Sequence, residues 1–157
     1  MKQASINDIK QELQNLSAKE IAAYCLRLAK FKKENKEFLS YLLFEADDID
    51  GYTTSIKDMM DESFKEVNTS NLYLAKKTLR KILRITNRHI KYTANKQTEV
   101  ILLIHFCTCI KMSGIRLKKS TSLQNIYLSQ LKKVMTAISA LHEDIQYDLL
   151  KEVKALE

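Results

Sequence analysis

The sequence contains no proline and no tryptophan, and it has only two glycines and three cysteines in 157 residues. Proline and glycine are the residues that most often end helices and build tight turns, so their scarcity predicts helices with few interruptions. The one hairpin-type dipeptide, Asp50-Gly51, lacks flanking apolar/polar alternation, and no strand is expected. Two glycines cannot build a phosphate-binding loop, a dinucleotide fingerprint or a nucleophile elbow. Cys25, Cys107 and Cys109 are odd in number and have no framework spacing. With no apolar leader at the N-terminus, they point to a reducing cytoplasm. The longest apolar run, Val100 to Ile104, is broken by His105. It falls far short of the roughly 20 residues that span a bilayer, so no integral membrane association is expected.

What is present is a folding composition: 45% apolar and 29% charged residues are enough to build one core, and a single helical domain over 1–157 is expected. Helix starts follow from side chains that accept from the first free backbone N–H groups. Ser17 with Glu20, Thr121 with Gln124 and, with a shorter carboxylate, Ser5 with Asp8 read as capping boxes, and Asn35, Asp50, Ser70 and Asn95 as single caps. Between them the pattern predicts helices at about 6–15, 18–33, 36–46, 51–67, 71–92, 96–113, 122–141 and 143–156. Ile21, Tyr24, Cys25, Leu28 and Phe31 form one expected core stripe, and Leu123, Ile126, Val134, Ile138 and Leu141 form another. From Val100 to Ile110 only His105 and Thr108 are polar, which marks that segment as the central helix. Gly114 suits the left-handed position that ends it. The fold class is therefore all-α: a compact array of seven or eight antiparallel helices, either a bundle or a short HEAT-like solenoid. A faint echo between residues 71–75 (Asn-Leu-Tyr-Leu-Ala) and 125–129 (Asn-Ile-Tyr-Leu-Ser) is compatible with the solenoid.

Net charge is +7, unevenly spread. Residues 1–66 hold 10 basic and 13 acidic side chains, residues 67–142 hold 14 and one, and residues 143–157 hold 2 and 5. Glu99 is the middle segment's only acid. At about 100° per residue, Lys76, Lys77, Arg80, Lys81, Arg84, Arg88 and Lys91 share an arc of about 140°, opposite an apolar stripe through Leu72, Ala75, Leu79, Ile82, Leu83 and Ile90. Like charges at i and i+4 repel by a few tenths of a kcal/mol per pair. A row of cations about 20 Å long can track phosphates, with nucleic acid as the favoured partner. The rival is an acidic protein, or the acidic ends of the same chain, set against an ordinary solvated charged face.

No catalytic residue, cofactor or metal site is expected. His105, Cys107 and Cys109 have zinc-ligand chemistry, but Cys107 lies about 200° round the helix from His105 and no further Cys pair or clustered His follows. Asp48, Asp50 and Gly51 fit a calcium loop only if Ala46 and Lys57 are its first and twelfth ligands, which they cannot be. His142, Glu143, Asp144 and Asp148 suit a helix start better than acid/base work. Ser129 with Lys132 matches a hydrolase spacing whose partner motifs are missing.

Three stretches, Leu39-Ser40-Tyr41-Leu42-Leu43-Phe44-Glu45, Leu74-Ala75-Lys76-Lys77-Thr78-Leu79-Arg80-Lys81 and Leu141-His142-Glu143-Asp144-Ile145-Gln146-Tyr147-Asp148, resemble a family of small all-helical bacterial proteins without an assigned activity. The resemblance implies a bacterial helical protein and transfers no residue role. Helical-repeat DNA glycosylases share stacked helices and a basic face at the level of fold, without a matched motif. The expectation is a non-enzymatic binding domain.

Overall fold

The computed structural model describes residues 3–156. Among them the chain forms α1 (Ile6–Gln14), α2 (Ala18–Phe31), α3 (Lys33–Phe44), α4 (Ile49–Lys65), α5 (Leu72–Thr93), α6 (Lys96–Met112), a 3-10 turn (Leu117–Lys119), α7 (Thr121–Ile138) and α8 (Glu143–Lys154), with no strand. No helix of the described residues is long and apolar enough to cross a membrane. The helices divide into two compact units, Met1–Glu45 and Ala46–Glu157.

In the first unit α2 packs on α3. Both expected capping boxes form: Asp8 N–H donates to Ser5 Oγ over 3.2 Å, and Glu20 N–H donates to Ser17 Oγ over 3.3 Å. The core stripe expected on α2 does not. Tyr24, Leu28 and Phe31 are 49%, 60% and 77% exposed, and Ile21 and Cys25 only half-buried. Three short helices enclose too little volume to bury a full stripe, since the buried fraction falls as a unit shrinks. Asn35 is not a cap either. The backbone turns helical at Lys33, and Asn35 Nδ2 instead donates to the Leu28 carbonyl at 2.9 Å.

In the second unit α6 is the central helix, as its composition demands. It packs against α4, α5, α7 and α8, and Val100, Leu102, Leu103, Phe106, Cys107 and Ile110 are wholly buried. Each such side chain contributes about 1.5–3 kcal/mol of apolar burial. The principal helix contacts of this unit join only first and second neighbours along the chain, the near-neighbour pattern of a stacked helical array. Leu123, Val134 and Ile138 of α7 are buried as expected, with Ile126 and Leu141 half-buried. The Tyr127 hydroxyl donates to the Leu156 carbonyl at 2.6 Å. Burial, and then the neighbouring Cys107, pushes that phenol up to about 12.

Three caps differ from expectation by one or two residues. Asp48, not Asp50, caps α4 by accepting from Gly51 N–H at 2.9 Å, and any Cβ on Gly51 would run into that carboxylate. Asn71, not Ser70, caps α5, and Ser120, not Thr121, caps α7. Adjacent residues with the same acceptor chemistry compete for each cap, and the one left extended by the incoming chain takes it. Asn95 caps α6 as expected. Gly114 has φ +76°, the left-handed conformation expected after that helix, and Ala94 ends α5 at φ +47°.

Candidate functional site

Helix α5 turns Ala75, Leu79, Ile82, Thr86 and Ile90 into the core. That fixes its opposite face outward, where Lys77, Arg80, Lys81, Arg84 and Lys91 are exposed while Lys76 and Arg88 are half-buried. Lys76, Lys77, Arg80, Lys81 and Arg84 line an open groove of about 720 Å³ with Tyr73 and Thr78. The first turn of α5 carries no acid. Within Ala46–Glu157, no carboxylate among the described residues lies at ion-pairing distance from Lys76, Lys77, Arg80, Lys81, Arg84 or Lys91. Tyr73 is 69% exposed, and Lys76 Nζ sits 5.8 Å from its ring centre. Tyr92 is half-buried, edge-on to His89 at 5.6 Å.

The fold adds lysines that lie elsewhere in the sequence. Lys91 lines a second open depression, of about 520 Å³, together with Asn87, Lys96, Glu99 and Lys133. Lys132 borders an adjoining one with Lys96, Glu99 and Lys133. Glu99 is buried at the start of α6 and accepts from Lys96 Nζ at 2.8 Å, with Lys133 Nζ of α7 3.3 Å away. Desolvation works against its charge. The Lys96 hydrogen bond and the attraction of Lys133 outweigh it, holding the carboxyl below the ordinary range. Two lysines are thus tied to one acid, while Lys91 and Lys132 stay exposed beside them.

Of the residues weighed for chemistry, His142 caps α8, its Nδ1 accepting from Asp144 N–H at 3.4 Å. Ser129 Oγ donates to the Ile126 carbonyl at 2.9 Å rather than engaging Lys132. Cys107 is buried, on the side of α6 away from His105 as the helical angle requires. The remaining pair meets an acid from another helix: Asp61 Oδ1 of α4 is 2.7 Å from His105 Nε2 and 3.4 Å from Cys109 Sγ. Burial, then the hydrogen bond to Asp61 and its charge, pushes the Cys109 thiol up to about 12. A thiol so held is protonated at neutral pH and is no nucleophile.

Compared with protein-family models, with curated proteins and with solved structures, the chain matches none, so its functional reading rests on its own geometry.

Proposed function

We propose that this protein is a non-enzymatic helical binding domain that holds a polyanion, foremost a nucleic acid, on the outer face of α5. One observation carries the reading: five exposed cations, Lys77, Arg80, Lys81, Arg84 and Lys91, share that face, with no carboxylate of their own unit paired to them among the described residues. Uncompensated like charge along one helix is unfavourable in the free protein, and phosphates relieve it while releasing their own counterions. Lys76 and Arg88 flank the five. Arg80 and Arg84 suit bidentate contact with phosphate oxygens, and exposed Tyr73 offers a surface on which an unpaired base can stack. A shallow cationic groove without an activated nucleophile suits binding better than turnover.

The rival is a protein-interaction module whose stripe meets an acidic partner. It uses the same residues and predicts no preference for phosphate. The three free cysteines suit a reducing cytoplasm, and the resemblance to small bacterial helical proteins agrees with that setting.

Fluorescence anisotropy of labelled duplex DNA and single-stranded RNA, titrated at about 50 and about 200 mM salt, tests the reading. Affinity is expected to fall by about two decades or more between the two salts. The Arg80→Glu/Arg84→Glu variant is expected to lose most of the binding while keeping its far-ultraviolet circular dichroism. Absence of binding at the lower salt would overturn the nucleic-acid assignment and favour the acidic protein partner.

A further inference from the structure

Outside α5, the second unit contains one convergence of metal-ligating chemistry. Asp61 on α4 and His105 and Cys109 on α6 each offer one ligand atom, and the three atoms lie within 4.8 Å of one another. Among the described residues no other group of three His, Cys, Asp or Glu meets that condition. His105 and Cys109 are one helical turn apart, so their side chains leave α6 on the same face, and the packing of α4 on α6 brings Asp61 opposite them. We infer that Asp61, His105 and Cys109 form a binding site for one zinc-class divalent cation, bridging α4 and α6.

The donor set selects the ion. Thiolate and imidazole discriminate against magnesium and calcium, which require oxygen, and mixed nitrogen, sulfur and oxygen donors suit zinc and its neighbours. Zinc bonds of about 2.0–2.3 Å place tetrahedral ligand atoms roughly 3.3–3.7 Å apart. The distances of 2.7 Å from Asp61 Oδ1 to His105 Nε2 and 3.4 Å to Cys109 Sγ lie within small side-chain rotations of that geometry. Charge also balances, because one carboxylate, one thiolate and one neutral imidazole supply two negative charges against a divalent cation. On binding, the Cys109 proton leaves to solvent and the imidazole carries its proton on Nδ1, freeing Nε2 to coordinate. The Asp61 side chain is 49% exposed, so solvent reaches the fourth position and the ion has a way in. A polar bridge between two helices needs only one of these contacts, whereas here two donor side chains from α6 converge on one carboxylate oxygen.

The test uses the full chain, stripped with a chelator and titrated with cobalt(II) as a coloured substitute for zinc. The expected result is a thiolate-to-cobalt charge-transfer band that saturates at one ion per chain and is bleached by one equivalent of zinc. The band should be unchanged in Cys25→Ser, absent in Cys109→Ser, and shifted to at least about 100-fold higher cobalt in Asp61→Asn and in His105→Gln. Asp61 is half-exposed, so Asp61→Asn keeps the fold and remains decisive if Cys109→Ser does not. No band in the wild-type protein, or a band that survives both Cys109→Ser and Asp61→Asn, would overturn the assignment. Neither result bears on α5, whose cations take no part in the site.

Discussion

Ala94 is the one described non-glycine residue with positive φ, at +47° where α5 ends. Its Cβ crowds the backbone there in a way glycine's hydrogen does not, at about 1–2 kcal/mol. Part of that gain is offset by glycine's greater freedom when unfolded. Ala94→Gly is therefore expected to stabilise the protein by about 0.5–1 kcal/mol and raise its melting temperature by about 1–4 °C, read by thermal circular dichroism. An unchanged or lower melting temperature would mean that the left-handed turn is not adopted in solution. Tyr127 presents the opposite case. Its hydroxyl satisfies the Leu156 carbonyl in a buried setting, so Tyr127→Phe orphans an acceptor and should cost about 1–3 kcal/mol in urea unfolding. A loss below a few tenths would show that water replaces the bond.

Between elements, the Glu99 clamp joins α6 to α7. The Glu99 side chain is only 11% exposed, whereas those of Lys96 and Lys133 are 62% and 46% exposed. Solvent screens the lysine side, so Glu99→Gln should cost about 1–2 kcal/mol rather than the larger loss of a fully buried pair. The sign of the pH dependence follows from the lowered carboxyl. A group whose folded pKa lies below its unfolded value contributes stability that is complete above the ordinary carboxylate value of 4.5 and disappears as pH falls through the lower folded one. The stability gap between wild type and Glu99→Gln should be constant from neutral pH to about 5.5 and close below about 4.5, in unfolding curves run at each pH. Most elements themselves were legible in the sequence: apolar periodicity located the helices, and the all-round apolarity of Val100 to Ile110 identified the central one. The α2 stripe through Tyr24, Leu28 and Phe31 misled because periodicity records which face is apolar, not whether neighbours exist to cover it. Caps at 48, 71 and 120 were displaced because acceptor chemistry recurs in adjacent residues, while the extended conformation that makes a cap depends on the chain's path.

At the scale of the molecule, the cationic face was legible because it lies on one helix, where the 100° rotation alone assembles it. The neighbouring Lys132 and Lys133 and the Asp61 partner of His105 were not, because tertiary packing between stretches distant in the sequence creates those neighbourhoods and no sequence spacing records them. Lys132 borders the depression adjoining the one that Lys91 lines, so a polyanion longer than α5 would run from the stripe on to α7. The salt dependence of binding measures that path. With five exposed cations on α5 engaged, log affinity for duplex DNA should fall against log salt with a slope of about −4 to −5. Lys81→Ala should flatten it by about one. Lys132→Ala should flatten it similarly for a duplex of about 20 base pairs, and hardly at all for one of about 8 that ends on α5, about 27 Å long by the axial spacing of phosphate charge. Lys154→Ala, exposed on α8 of the same unit, where α8 packs on α6 and α7, serves as the control and should leave both slopes unchanged. Equal effects from Lys154 and Lys81 would reduce the stripe to diffuse net charge. An effect of Lys81 without Lys132 would confine the ligand to a single helix.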